Sequence, residues 1–424
     1  MKRNYYMVGL VFVTFFVISF ITNILGALIP DIQHSFQLSY SMVAFLPFSF
    51  FIAYGVMSIP AGIFIEAYGE KRAMLASFGV ALAGAALLSL FAGYAVSLLS
   101  LFLMGIGMAM LQVVINPLLR SAGGEEHFAF NSVLAQLLFG LASFISPRIY
   151  TYIGANWQMG AGVSNGGKDG LPGGWFLSLL RKVTNPQYTW TALYWIFLLV
   201  IGIMILIVFF SRFPTVILKE EERSGTRTVY AGLLKNRTVL LYFLGIFCYV
   251  GVEQGVSDWM SEFLHRYHGK DPLTDGANAV SWYWGLMTLG CALNLLLLKL
   301  FDSRKLLLVF TALTIVLLSV ALWGPTRYAE LAFPAIGFSI SILFSVIFSL
   351  ALNSLPSHHG SFSGILCTGI AGGAAVPLLI GWLGDHTGLR VGMSFIFICL
   401  AYIFSIGIRA KPLINNKTIL SSPQ

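Results

Sequence analysis

Residues 4–30 read NYYMVGLVFVTFFVISFITNILGALIP, a stretch between Arg3 and Asp31 that contains no charged side chain. A helix needs about 20 apolar residues to cross a bilayer, so this stretch is long enough to do so. Similar stretches recur along the chain and predict twelve spans, at 7–29, 41–65, 73–93, 96–119, 128–153, 188–211, 240–264, 276–298, 306–324, 329–352, 361–383 and 389–408. The sequence therefore predicts an all-α integral membrane protein with twelve transmembrane helices.

The composition supports a lipid environment and predicts an orientation. The 424 residues are 57% hydrophobic and 10% charged, which leaves too few charged groups for a soluble surface. With twelve spans, 17 of the 25 Lys and Arg residues lie on the side of the two termini and 8 on the other. This asymmetry predicts cytoplasmic termini in a bacterial inner membrane. Nucleic-acid binding is excluded as a function, because the basic residues form no single soluble surface.

A charged segment divides the chain into two halves. Residues 212–237 include the run KEEER at 219–223 and predict a cytoplasmic linker between residues 1–211 and 238–410, with a cytoplasmic tail at 411–424. GIFIEAYGEKR at 62–72 and KLFDSRK at 299–305 occupy corresponding loops of the two halves. Such internal likeness predicts two pseudo-symmetric six-helix bundles. Charged residues of these loops are expected to gate conformational change: Glu66, Arg72, Asp302 and Arg304.

Other motifs argue against enzymatic, nucleotide-binding and metal-binding functions. The glycine-rich segment 154–189 lacks the strand and the Lys-Ser/Thr ending of a phosphate-binding loop, and is expected to be a flexible outer loop. The four cysteines fall inside predicted spans, where they are interpreted as packing residues. The seven histidines fall at predicted helix ends or in loops. With no nucleophile and base in a recognisable constellation, we expect neither catalysis nor a cofactor or metal.

Span seven carries carboxyl groups at bilayer depth. Glu253 lies near its middle and Asp258 about one and a half turns further along. Ionisable groups are costly at this depth and commonly mark an ion or substrate path. A carboxyl group in a water-poor site can also exchange a proton near neutral pH, so both are candidates for proton coupling. The alternative is that Glu253 links neighbouring helices and that Asp258 is a hydrated residue near the surface.

Neutral amides at similar depth predict a polar cavity. Amides both donate and accept hydrogen bonds, which suits a ligand covered with hydroxyl groups. Gln112 and Asn116 are four residues apart and point to one side of their helix. The alternative for each amide is a hydrogen bond to a neighbouring helix, and Trp282 fits the interfacial aromatic belt equally well. The predicted substrate-binding residues are Asn23, Gln112, Asn116, Asn131, Gln136, Gln254, Trp259, Trp282 and Asn294.

Several motifs resemble those of a known family. They are GIGMAMLQVVINP at 105–117, FNS at 130–132, FCYVGVE at 247–253 and GGAAVP at 372–377. Over nearly its whole length the chain resembles the major facilitator superfamily, and within it the fucose–galactose–glucose:cation symporters. The resemblance implies a twelve-helix fold with a central cavity, and import of a sugar driven by protons or sodium. Carried onto matching positions, it makes Gln112 and Asn116 sugar ligands, with Asn131 nearby and Glu253 facing the cavity.

The chain departs from the family pattern where coupling is concerned. Many members have an Asn-Asp pair in the first helix, where this chain has Leu25-Gly26 after Asn23. Some members have an acid at the position of Gln112, and Glu66 replaces an expected Asp in the first charged loop. Three possibilities stay open: Glu253 or Asp258 couples a proton, sodium is the driving ion, or the carrier is uncoupled.

The sequence thus predicts a monomeric secondary transporter that imports a monosaccharide or related polar carbohydrate with a proton by alternating access. One alternative is an efflux antiporter for amphipathic compounds, whose cavity would be mostly aromatic and aliphatic. Another is a membrane sensor built on a transporter body, which would need longer cytoplasmic loops. A membrane-embedded enzyme is a further alternative, for which no catalytic group is visible.

Overall fold

A computed structural model describes residues 4–123, 128–161, 174–213, 227–355 and 359–410, which are mainly helical. The helices of the first half are α1 (Tyr5–Thr22), α2 (Leu25–Phe36), α3 (Tyr40–Tyr68), α4 (Glu70–Leu90), α5 (Tyr94–Gly123), α6 (Phe128–Ala161), α7 (Gly174–Val183) and α8 (Ala192–Phe210). Those that follow are α9 (Arg227–Leu234), α10 (Arg237–His268), α11 (Ala277–Leu300), α12 (Ser303–Trp323), α13 (Thr326–Ile340), α14 (Leu343–Leu352), α15 (His359–Thr368), α16 (Gly372–Thr387), α17 (Leu389–Ser394) and α18 (Ile396–Arg409).

Eleven segments of the described chain are long and apolar enough to cross a membrane, and they correspond to eleven of the predicted spans. The remaining predicted span, 128–153, lies within α6, whose 34 residues extend over about 51 Å at 1.5 Å per residue. The predicted all-α membrane fold is confirmed.

The spans run between two faces of the molecule. We call the face at which α1 begins and α18 ends the terminal face, and the opposite face the distal face. Helices α2, α4, α10 and α12 end at the distal face, and α3, α8 and α11 end at the terminal face.

Several spans are broken near their middle. The first span was expected as one helix over 7–29, but it is interrupted between α1 and α2 and continues to Phe36. At the break, the Asn23 N–H caps α1 by donating to the Ser19 carbonyl, and the Asn23 amide donates to Ser143 Oγ on α6 at 2.8 Å. A second break separates α13 from α14 at Ser341. Side-chain bonds at such breaks compensate for the lost intrahelical bonds.

The two halves meet mainly along the helix pairs α2 with α10, α3 with α16, and α6 with α11, and α3 also contacts α15. Hydrogen bonds join the halves near the distal face. Arg148 Nε donates to Ser281 Oγ at 3.1 Å, and Thr151 Oγ1 donates to the Leu273 carbonyl at 2.9 Å. The distal ends of the two bundles are therefore held together in this structure.

The segment 154–189, which was expected to be an outer loop, is partly helical. Helix α6 continues to Ala161, and α7 forms because Leu177 and Leu180 are buried while Trp175 faces outward. At the end of α7, Arg181 donates to the Asn156 carbonyl at 2.5 Å. Residues 162–173 of this segment, 214–226 of the linker and the tail 411–424 lie outside the described residues, and the predicted domain boundaries stay predictions.

Candidate substrate and proton site

The polar residues of span seven lie on α10, where the two halves meet. Gln254 and Asp258 are buried, with 3% and 1% of their surfaces exposed, whereas Glu253 is half-buried. The Gln254 amide donates to Glu253 Oε1 at 3.1 Å, and the Tyr283 hydroxyl of α11 donates to the Glu253 carbonyl at 2.9 Å. Tyr249, one turn before Glu253, lies beside its carboxyl group. The Glu253 carboxyl is therefore held by Gln254, and the Tyr283 hydroxyl holds the helix backbone at this position.

Asp258 lies where α10 crosses α2 of the other half. A Cβ atom at Gly26 would overlap the Ser257 carbonyl oxygen and lie 3.2 Å from Asp258 Cα, so the crossing requires glycine. Asp258 Oδ2 is buried without a hydrogen-bond partner among the described residues. An ionised carboxylate buried without a partner is costly, by several kcal/mol. The closed crossing therefore favours the neutral carboxylic acid at this position.

The two predicted tryptophans differ in their surroundings. Trp259 is fully buried: its indole N–H donates to the Pro377 carbonyl at 3.1 Å, and its ring meets the Tyr40 ring edge-to-face at 5.7 Å. Trp282 is 43% exposed, and the Arg148 guanidinium lies 5.3 Å from its ring centroid. Trp259 thus packs α10 against α16 and α3, and Trp282 lies on the outside of the α6–α11 contact.

The predicted amides of the first half do not all share one environment. Gln112 on α5 and Asn131 on α6 are half-buried, and Asn131 lies against Gly123 at the end of α5. Gln136 is exposed. Asn116 belongs to α5, one turn after Gln112, and its side chain lies outside the described residues.

Asn23 and Asn294 are buried and bonded within their own halves. Asn23 donates to Ser143 Oγ at 2.8 Å, and Asn294 donates to Ser341 Oγ at 2.8 Å. Both bonds lie at the helix breaks described above. This placement matches the alternative interpretation of the amides, in which they link neighbouring helices.

The predicted gating residues lie at the terminal face. Arg72 is exposed, and the Glu66 side chain lies outside the described residues. Asp302 caps α12 by accepting from the Arg304 N–H at 2.8 Å. Burial acts to raise the pKa of Asp302, but hydrogen bonds from Arg304 outweigh it, and the pKa lies below its ordinary value.

Two further carboxyl groups, of which Glu262 is buried and Asp31 is half-buried, are not among the predicted site residues. Glu262 on α10 is 6% exposed and accepts a hydrogen bond from the Tyr40 hydroxyl at 3.4 Å. Asp31 on α2 accepts a hydrogen bond from Tyr150 of α6. Glu262 lies within the predicted span 240–264, eight residues after Gln254 and four after Asp258. That spacing places all three on one face of a helix, a signal that could have identified Glu262.

The chain is similar to known transport proteins over most of its length. The model of the Major Facilitator Superfamily matches residues 11–376. A glucose/galactose transporter of Brucella abortus is 30% identical over 403 residues, covering 93% of this chain and 91% of that protein. The L-fucose-proton symporter of Escherichia coli is 23% identical over 410 residues, covering 92% and 90%.

Solved structures show the same fold. The crystal structure of the Escherichia coli fucose:proton symporter matches with a TM-score of 0.65 at 20% identity, covering 96% of this chain and 100% of that one. The inward-facing structure of a bacterial homologue of the human lysosomal transporter Spinster matches with a TM-score of 0.72 at 14% identity, covering 97% and 98%.

Proposed function

The chain belongs to the Major Facilitator Superfamily, and we propose that it imports a monosaccharide or related polar carbohydrate together with a proton. The glucose/galactose transporter and the L-fucose-proton symporter, each matched over at least nine-tenths of its length, support this substrate class and coupling ion. The excess of Lys and Arg at the terminal face supports cytoplasmic termini in a bacterial inner membrane. The distal face is then the outer face, and the functional unit is a monomer.

The observation that carries the coupling proposal is the burial of Asp258 at the α2–α10 crossing. These helices belong to different halves, so opening of the distal face separates them and exposes Asp258 to water. Closing the face removes that water, which favours closure with a proton bound and opposes closure with an ionised group. A proton taken from the outside thus becomes a condition for the conformational change.

In this scheme, Glu253 receives the proton after Asp258. It is half-buried, lies five residues from Asp258 on the same helix, and its carboxyl group accepts a hydrogen bond from Gln254. It accepts the proton from the buried region and releases it toward the terminal face when the cavity opens there. Proton transfer in this direction is coupled to sugar import because both depend on the same movement of the halves.

The sugar ligands proposed first are Gln112, Asn116 and Asn131 of the first half and Glu253 of the second half. Gln254 is buried and bonded to Glu253, so we assign it to the wall of the cavity. Gln112 and Asn131 are half-buried, as expected for groups that line a cavity. Asn23, Asn294 and Trp259 are bonded within the protein, so we assign them to the walls that position those ligands. Gln136 and Trp282 are exposed, so we assign them to the edges of the sugar path.

The test is uptake of radiolabelled glucose and galactose into proteoliposomes, with pH and sodium gradients imposed separately. Wild type is expected to accumulate sugar when the outside is acidic, and not with sodium alone. Glu253→Gln is expected to lose acid-driven accumulation, and Asp275→Asn, an exposed carboxylate at the distal face, serves as the control. Unchanged acid-driven uptake in Glu253→Gln would remove Glu253 from coupling. Equal loss with and without a gradient would assign it to sugar binding.

A further inference from the structure

The distal face contains a contact between the halves that the transport scheme above does not use. Helix α3 begins at Tyr40, and its first backbone N–H groups need acceptors from outside the helix. The Tyr40 N–H donates to Asp385 Oδ1 at 2.7 Å, and the Ser41 N–H donates to Asp385 Oδ2 at 2.8 Å. Asp385 lies on α16 of the other half. Both oxygens of the Asp385 carboxylate thus cap the start of α3, although Asp385 and Tyr40 are 345 residues apart in the sequence.

The remaining N–H groups of this helix end are satisfied within the first half. Ser39 Oγ accepts from the Met42 N–H at 3.3 Å, and the Ser39 carbonyl accepts from the Val43 N–H at 3.0 Å. Asp385 therefore supplies the two acceptors that the local sequence does not. Its negative charge is also placed at the positive end of the helix dipole of a 29-residue helix.

The side chain of Tyr40 is held by the second half, to which Asp385 also belongs. Its hydroxyl donates to Glu262 at 3.4 Å, and its ring meets Trp259 edge-to-face at 5.7 Å. Gly381, one turn before Asp385, makes room for this contact: a Cβ atom there would be 2.6 Å from the Tyr40 carbonyl oxygen. Tyr40 thus occupies a socket formed by Asp385, Glu262, Trp259 and Gly381.

We propose that Asp385 is a positioning residue for transport, a latch that holds the distal face closed by capping α3. The proposal rests on the alternating-access function above, because only a protein that opens at this face needs such a latch. Opening separates α3 from α16 and transfers the Tyr40 and Ser41 N–H groups to water. Since Asp385 is exposed, water replaces it at modest cost, as a reversible latch requires.

The experiment measures the distance between the halves at the distal face. Spin labels are placed at Leu90 of α4 and Tyr328 of α13, both exposed near that face, in a chain whose four cysteines are replaced. Asp385→Asn removes the charge and one acceptor with little change in size. Because a charge at the helix start and one hydrogen bond are lost, it is expected to raise the ratio of distal-open to distal-closed molecules on the order of tenfold without added sugar.

The matched control is Asp271→Asn. Asp271 is also an exposed aspartate at the distal face, but it accepts from the Leu273 N–H and the Thr274 hydroxyl of its own half. Its replacement is expected to cause no increase in distal opening. A second variant, Gly381→Ala, obstructs the socket sterically and is expected to raise the open fraction with Asp385 still present.

The outcomes separate the latch from the transport function. An unchanged distance distribution in folded Asp385→Asn, with thermal stability like wild type, overturns the latch even where sugar uptake is proton-coupled. An equal shift in Asp271→Asn also overturns it, since any lost surface charge would then suffice. A shift confined to Asp385→Asn and Gly381→Ala supports the latch, whether or not glucose or galactose is the sugar transported.

Discussion

Asp258 and Glu253 lie on one helix, five residues apart, and differ in their surroundings. Asp258 is buried at a contact between the halves, with an oxygen that has no hydrogen-bond partner among the described residues. Glu253 is half-buried and bonded to Gln254. The surroundings of Asp258 depend on how the two halves meet, whereas those of Glu253 depend largely on its own helix. We therefore assign them different tasks within one proton path.

Replacing Asp258 by Asn is expected to separate exchange from accumulation. An amide is always neutral, so the α2–α10 crossing closes without a proton. Counterflow of labelled sugar between equal concentrations should keep at least half of the wild-type rate, and acid-driven accumulation should fall at least tenfold. If Asp258→Asn still concentrates sugar in response to an acidic exterior, the proton is coupled elsewhere.

The amides allow a paired test of structural and ligand roles. Asn23→Ala removes a buried hydrogen bond to Ser143 and is expected to destabilise the protein by about 1–2 kcal/mol, with the KM for sugar within twofold of wild type. Gln112→Ala is expected to raise that KM about tenfold or more, with less effect on stability. Denaturant titration and initial uptake rates measure the two quantities. A raised KM in Asn23→Ala and a loss of stability in Gln112→Ala would instead make Asn23 the sugar ligand and Gln112 the structural residue.

At the scale of helices, close crossings and caps determine which parts can move. Gly26 lets α2 approach α10, and Gly381 lets α16 approach the start of α3. Both contacts join opposite halves: Gly381 lies close to the distal face, and Gly26 lies between the break at Asn23 and that face. Breaks such as that at Asn23 are bonded within one half, so they shape a span without opposing the movement of the bundles.

Gly26→Ala is expected to obstruct distal closure. The added methyl group would overlap the Ser257 carbonyl, and overpacking of this kind typically costs about 1–3 kcal/mol. The transport rate should fall at least fivefold while the protein still folds and inserts. Gly9→Ala on α1 is the control. A Cβ atom at Gly9 would lie more than 4 Å from every described atom outside the neighbouring turns of α1. Equal rates in the two variants would show that the crossing tolerates a side chain.

The cap of α12 predicts a pH dependence of stability. The pKa of Asp302 is lower in the folded protein than in the unfolded chain, where it is near 4. The ionised Asp302 therefore stabilises the folded protein above pH 4, and this stabilisation is lost as the pH falls through the pKa of the folded state. Asp302→Asn keeps an acceptor but removes the negative charge at the start of α12, and should destabilise the detergent-solubilised protein by about 0.3–1 kcal/mol at pH 7. The difference should shrink steadily below pH 4. A difference that is constant between pH 7 and pH 3 would contradict the ionic cap.

At the scale of the whole molecule, the predictable features are those that repeat locally along the chain. Charge-free stretches such as 4–30 predict spans, because each helix must meet lipid by itself. The break at Asn23 was not predicted, since it depends on Ser143, 120 residues away. Likewise, Glu253 and Asp258 were recognised from their depth in one span, whereas the Asp385–Tyr40 contact and the roles of Glu262 and Gly26 depend on how the halves meet.

The most direct test of the account is proton movement caused by sugar in the absence of any imposed gradient. Proteoliposomes containing a trapped pH indicator are mixed with glucose or galactose at equal internal and external pH. Proton symport through Asp258 predicts acidification of the interior that requires the sugar, is abolished by a protonophore, and is at least tenfold smaller in Asp258→Asn. Sugar entry at the wild-type rate without any change in internal pH would contradict proton symport by this protein.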